Sequence, residues 1–125
     1  MYISIGHLLT SSNYNDTEKK VTGGRNGFGA KLTNIFSKKF IIEIADSKRK
    51  KKYIQEFGNN MSKIESPKIT TFDGDNDYTY IIFEPDLKKF GLKSIDDGMV
   101  SLMAKRVYDT AGITPKTVKV YLDEK

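Results

Sequence analysis

The sequence predicts an α+β fold: a two-layer α/β sandwich with a mostly antiparallel sheet and helices on one face. Three observations predict it. Residues 38–85 carry several short β-branched and aromatic segments, and helical patterns stand on either side of them. The composition, 38% hydrophobic and 30% charged over 125 residues, is that of one modest domain with a packed core.

Taken in order, residues 3–10 ("ISIGHLLT") fit a short helix or the tail of one, and residues 11–20 are polar and loop-like. A glycine-rich segment follows. Leu32, Ile35 and Phe36 then recur at helical spacing, so a helix is predicted over 30–36, opening just after the last glycine. The period changes in "KKFIIEIAD" (38–46), which reads as a strand, with "KRKKKYIQEF" (48–57) as its hairpin partner. In that partner Tyr53 and Gln55 share one face and Ile54 takes the other.

"KITTF" (68–72) and "DYTYIIFEP" (77–85) are two further strands, joined by "DGDN" with its Asp-Gly turn signal. Four strands in meander order are therefore expected. In "SIDDGMVSLMAKRVYDTAG" Ser94 is the expected N-cap, with Asp97 three residues on, and Gly112 fits a C-cap. Met99, Met103 and Val107 recur on one face of this helix, beside Val100. "TVKVYLD" (117–123) alternates and reads as a last strand. The chain starts abruptly and closes on this strand, so the domain is expected to be incomplete at both ends.

Composition excludes several chemistries. No cysteine means no disulfide, thiolate metal site or cysteine nucleophile, and a single histidine, His7, disfavours a histidine metal centre. The longest apolar runs are far too short to span a bilayer, so no membrane partner is expected. The opening "MYISIGHLL" has no basic n-region and no long apolar core, unlike a secretory signal. The net charge of +5 suits a polyanionic partner but also ordinary solubility, since 16 acids are interspersed.

The segment "VTGGRNGFGAKL" (21–32) concentrates four glycines, Arg25, Asn26 and Lys31 within eight residues. A Walker loop requires lysine directly after its last glycine; here Ala30 stands between Gly29 and Lys31. The dinucleotide pattern G-x-G-x-x-G has no matching window, and no buried strand precedes the segment. Anion binding remains physically sound. Glycines let backbone N–H groups approach phosphate oxygens, and a helix opening behind them adds its positive dipole end. A plain glycine turn leading into a helix stays open as the alternative.

"LLTSSNYNDTEKKVTGGRNGFGAKLTNIFSKKF", with "NNMS", "PKIT", "FEPDLKKFG" and "RVYDTAG", resembles the eukaryotic type IIA DNA topoisomerases from about Gly6 to Asp123. The resemblance implies a GHKL (Bergerat-fold) ATPase domain, of which residues 1–125 would be a part, lacking its N-terminal portion and the transducer domain. It implies that Ser11, Ser12 and Asn13 contact the sugar and phosphates of ATP. It further implies that Gly24, Arg25, Asn26, Gly27, Phe28, Gly29, Ala30 and Lys31 wrap the triphosphate. Phe28 replaces the usual tyrosine of the family, and the start of the chain looks compressed relative to it.

The same resemblance implies an ATP- and Mg2+-dependent isomerase that passes one DNA duplex through another, a homodimer, and a nuclear location. Its general-base glutamate, magnesium asparagine and adenine-reading aspartate would lie upstream, and its γ-phosphate lysine, DNA-cleaving tyrosine and TOPRIM metal site downstream. No catalytic or metal residue is therefore expected in this chain, which alone should not turn ATP over. The alternative is a non-catalytic domain that binds nucleotide or DNA. The basic run at 48–52 is read as a solvated hairpin turn rather than a localisation signal or DNA contact. "DGDND" (73–77) is read as a turn rather than a calcium loop, because the closing glutamate of such a loop is missing. His7 is read as structural, and the aromatics mainly as core.

Overall fold

The computed structural model describes residues 27–123. They form two compact units, divided between Asp86 and Leu87.

In the first unit, helix α1 (Phe28–Ile35) leads into β1 (Ser37–Asp46) and β2 (Lys51–Gly58), followed by the short β3 (Lys63–Ile64), β4 (Lys68–Thr71) and β5 (Tyr78–Pro85). All the pairings are antiparallel. The α+β class expected from the sequence is thus realised as an open antiparallel sheet with helical elements.

The strand order corrects the expected meander. β5 does not pair with β4; it lies along the other edge of β1, and the path runs β3-β2-β1-β5 with β4 also on β2. β1 is apolar on both its faces through Phe40, Ile41, Ile42 and Ile44, which suits a central strand with two partners. β3 and β4 occupy successive lengths of the same outer edge of β2, at Phe57–Gly58 and at Lys51–Ile54. Between them stands Pro67, which has no N–H to give a ladder. The gap is bridged by the Gln55 Nε2 amide, which donates to the Glu65 carbonyl at 3.0 Å.

Register sorts the sheet into two faces. Phe40 stands opposite Phe57, Ile42 opposite Gln55, and Ile44 opposite Tyr53. These residues form the core side. Phe40, Ile42 and Phe57 are fully buried, with Ile44, Tyr53 and Met61 packed against them. The two phenylalanine rings meet edge to face, with centroids 6.2 Å apart. The Tyr53 hydroxyl donates to Gln55 Oε1, as their common face requires. The reverse face carries the ion pairs Lys39–Glu56 at 3.3 Å and Lys52–Glu43 at 3.6 Å. Not all aromatics are core: Tyr80 and Phe83 are exposed.

In the second unit a 3-10 turn (Leu87–Phe90) precedes helix α2 (Asp97–Ile113). The helix starts later than predicted. Its N-cap is Asp96, whose carboxylate accepts from the Met99 N–H at 2.8 Å, and not Ser94. A cap must sit in extended backbone with its side chain two or three residues from a helical N–H, and Asp96 meets both needs. Gly112 lies inside the helix, which closes at Thr114 through an N–H donated to the Thr110 carbonyl. Residues 117–123 are not a strand, against expectation. Alternation makes a segment competent to pair but supplies no partner ladder. Here the Val118 N–H instead closes a turn onto the Pro115 carbonyl at 2.9 Å. Val120 and Leu122 line a shared hollow with Val107, Tyr108 and Ala111 of α2.

Candidate functional site

Of the eleven residues singled out as nucleotide ligands, Ser11, Ser12, Asn13, Gly24, Arg25 and Asn26 lie outside the described residues. Gly27, Phe28, Gly29, Ala30 and Lys31 are described, and they form one feature: the opening of α1.

The helix begins at Phe28, one residue before the last glycine, so the glycine segment supplies both its cap and its first turn. Gly27 is the N-cap, with φ +65° and ψ 24°. That left-handed conformation carries almost no cost for glycine and an appreciable one for any residue with a Cβ. Gly29 is helical, and a Cβ built on it would meet nothing within 4 Å. The first turn contains no acidic residue. The first-turn N–H groups of a helix have no intrahelical acceptor, and the dipole makes that end positive. The opening of α1 is therefore chemically suited to an anion, with open space in front of Gly29.

The side of the helix that is buried is unusual. Leu32, counted among the apolar positions that predicted the helix, is 46% exposed, and Phe28 is also exposed. Lys31 is instead 1% exposed, Asn34 0% and Ser37 2%. Lys31 and Asn34 lie one turn apart on the helix and Ser37 follows at the start of β1, so polar residues lie where an amphipathic helix normally puts its apolar ones. Ser37 uses its hydroxyl on the Thr33 carbonyl, and the Thr33 hydroxyl donates to the Gly29 carbonyl at 2.9 Å. Lys31 thus brings a positive charge to the buried side of this helix opening, and a charge so buried is kept only where it is paired, as it is here. Asn34 was not foreseen from the sequence. Its only sequence signal is a polar residue three positions after Lys31 in an otherwise helical pattern.

Other candidate sites resolve into structural roles. Lys48, Arg49 and Lys50 form the β1–β2 turn, where Lys50 takes φ +51°. Arg49 is held by Asp46, which accepts from its N–H at 2.8 Å and from its guanidinium. Lys50 pairs with Asp75 at 3.9 Å, so acids of the 73–77 loop sit against the basic turn. Asp77 accepts from both the N–H and the hydroxyl of Ser47, which holds its carboxyl below the ordinary value. No cluster of three or more metal-ligating side chains occurs among the described residues. No helix among them is long and apolar enough to cross a membrane.

No family profile matches the chain. Individual proteins match it strongly. It is 60% identical over 119 residues to a probable DNA topoisomerase 2 of Dictyostelium discoideum, covering 95% of this chain. It is 59% identical over 120 residues to DNA topoisomerase 2 of Arabidopsis thaliana, covering 96% of the chain. The chain spans about 8% of the length of each of these curated relatives. Among solved structures, the ATPase region of Saccharomyces cerevisiae topoisomerase II superposes with a TM-score of 0.92 at 52% identity, over 99% of this chain and 32% of that one. The same region bound to ICRF-187 (dexrazoxane) gives a TM-score of 0.91. The ATPase and transducer domains of the Balamuthia mandrillaris enzyme give 0.80 at 46% identity, over 88% of this chain and 29% of that one.

Proposed function

We propose, from the premise that this chain matches one segment of the ATPase region of eukaryotic-type DNA topoisomerase II, that it holds the triphosphate of ATP at the opening of α1. The observation that carries this reading is Gly27 in left-handed geometry, opening a helix with an acid-free first turn above a buried Lys31. Backbone N–H groups there take phosphate oxygens, and the Lys31 ammonium supplies the compensating charge. Gly29 keeps the approach clear of a Cβ. Gly24, Arg25, Asn26, Phe28 and Ala30 complete the wrap around the phosphates. Ser11, Ser12 and Asn13 take the sugar side and the adjacent phosphate.

In this reading magnesium arrives with the nucleotide and neutralises its phosphate oxygens. The general base and the magnesium asparagine belong to parts of the enzyme beyond these 125 residues, so binding belongs to this segment and hydrolysis to the whole protein. The activity of that whole is ATP-dependent passage of one DNA duplex through another, by a homodimer working in the nucleus. The sheet contributes rigidity: β1 follows α1 after a single residue and is clamped between β2 and β5, which fixes the helix whose end meets the phosphates.

Calorimetric titration of the full-length gene product with a non-hydrolysable ATP analogue tests the reading. Lys31→Ala is expected to weaken binding at least tenfold, as charge-assisted bonds to phosphate are the strong ones. Equal affinity of the two proteins would overturn it. Magnesium-dependent steady-state turnover by the 125 residues alone would overturn the division between binding and hydrolysis.

A further inference from the structure

Among the described residues, the buried polar atoms without a hydrogen-bond partner are Oδ1 and Nδ2 of Asn34 and Nδ2 of Asn60. The two residues belong to one junction. Asn34 lies one turn before Ser37, and the Ser37 carbonyl accepts from the Asn60 N–H at 3.0 Å. Asn59, Asn60 and Met61 all hold positive φ, 49°, 56° and 66°, so the backbone is strained at the same place.

Asn34 is the sharper case, because its whole carboxamide is unsatisfied at zero exposure. A carboxamide offers two acceptor lone pairs and two donors, and burying all four unused is among the costlier arrangements in a fold. Asparagine is also a weak helix former, so neither propensity nor packing recommends it here. Its neighbour Ser37 spends its one hydroxyl proton on the Thr33 carbonyl and so has none to give Asn34 Oδ1. The residue it can serve is Lys31. The two lie at i and i+3 on the same buried side of the helix, and helical side chains lean toward the N-terminus, so Asn34 leans back toward the turn that carries Lys31. An ammonium carries three donors, so it can hold a phosphate oxygen and still have donors for other acceptors.

We infer that Asn34 is a positioning residue for the bound triphosphate: its Oδ1 accepts a hydrogen bond from the Lys31 ammonium in the nucleotide-bound protein and orients that cation toward the phosphates. This rests on the nucleotide-binding reading given above. In the ligand-free fold the carboxamide is a cost; in the bound form it is satisfied, so it shifts free energy from folding to binding.

The test is a double-mutant cycle on the full-length gene product, with wild type, Asn34→Leu, Lys31→Ala and the double variant. Each is titrated calorimetrically with a non-hydrolysable ATP analogue and melted without ligand. Asn34→Leu removes the polar group at similar size. It is expected to melt at or above the wild-type temperature while binding about 3- to 10-fold more weakly, the worth of one hydrogen bond. The double variant is expected to bind no more weakly than Lys31→Ala, because Asn34 acts through the lysine. Losses that multiply, or unchanged affinity in Asn34→Leu, overturn the inference while leaving the nucleotide reading intact. A wild type that fails to bind the analogue, or that binds no better than Lys31→Ala, overturns the nucleotide reading itself. A lowered melting temperature in Asn34→Leu together with additive losses marks a purely structural residue and also overturns the inference. If Asn34→Leu does not fold, Asn34→Ala enters the same cycle with the same criteria.

Discussion

Ser47 and Asp77, thirty residues apart, are joined twice. The Ser47 N–H and hydroxyl both donate to one Asp77 carboxylate oxygen, at 2.7 and 2.6 Å. This link ties the 73–77 loop to the end of the β1–β2 hairpin. The loop carries the chain from the outer edge of β2, where β4 lies, to the outer edge of β1, where β5 lies. The Phe72 N–H, donated to the Lys50 carbonyl at 3.1 Å, helps hold the same crossing.

Acid should loosen this crossing before it unfolds the core. Both Asp77 and Asp46 titrate below their ordinary value of 3.8, Asp77 chiefly through the Ser47 hydroxyl and N–H, Asp46 chiefly through the Arg49 N–H. A carboxyl lowered in the folded state contributes stability that is present above 3.8 and is lost as pH falls through the lower folded value. Amide exchange followed by NMR between pH 5 and pH 2 (about the span of carboxylate titration) should show the Ser47 and Arg49 amides deprotected ahead of Ile42. Asp77→Asn should deprotect Ser47 already at neutral pH. Simultaneous loss of all three amides would refute the local role.

The tyrosine on the reverse face of the sheet should behave oppositely. The Tyr78 hydroxyl donates to Glu43, and this hydrogen bond raises it above its ordinary value of 10.0. Its contribution is complete below 10.0 and is lost as pH rises through the folded value. Spectrophotometric titration of Glu43→Gln should bring one tyrosine back toward the ordinary range. An unchanged titration curve would exclude the interaction.

The glycines at the opening of α1 should separate by conformation. Gly27→Ala places a Cβ at φ +65° and should cost about 1–2 kcal/mol of stability while also weakening binding of an ATP analogue. Gly29→Ala sits in helical backbone with open space and should gain up to about 1 kcal/mol of helix propensity. Its affinity should nonetheless fall, since the new methyl occupies the approach to the N–H groups. Thermal melting beside titration of the same variants tests the pair. Unchanged affinity in Gly29→Ala would show that no phosphate comes close to it.

The core should be intolerant at Phe57. Truncation to alanine removes the edge-to-face partner of Phe40 from a fully buried position and should cost about 3–5 kcal/mol. That is comparable to the net stability of a small domain, about 5–15 kcal/mol. Denaturant unfolding of Phe57→Ala against Phe57→Leu measures it. A cost near that of a surface substitution would contradict the packing described here.

The basic turn should matter little to stability. Arg49 and Lys50 already face Asp46 and Asp75, and such exposed pairs add little. Changing Lys48 and Lys51 to glutamine should leave melting unchanged and reduce any DNA affinity only in a salt-sensitive, sequence-independent way. A large loss at high salt would point to a specific contact.

Local patterns determined much of this protein from sequence alone. The period of "KKFIIEIAD" and "DYTYIIFEP" announced β1 and β5, and the spacing in 94–112 announced α2, because hydrophobic period is written within a few residues. The glycine segment announced an anion-ready helix opening, since left-handed geometry at Gly27 is a demand only glycine meets cheaply. What the sequence could not hold is pairing. That β5 lies on β1 and not on β4 follows from a loop pinned by Ser47–Asp77 and Lys50–Asp75, contacts between groups 25 to 30 residues apart. The same limit explains residues 117–123, whose alternation needs a partner strand to become one. It explains α1 most clearly. The apolar spacing of Leu32, Ile35 and Phe36 predicted the helix correctly, yet the tertiary structure buries Lys31 and Asn34 and leaves Leu32 exposed. Periodicity shows that a helix has two sides; only the neighbours it packs against decide which side is covered.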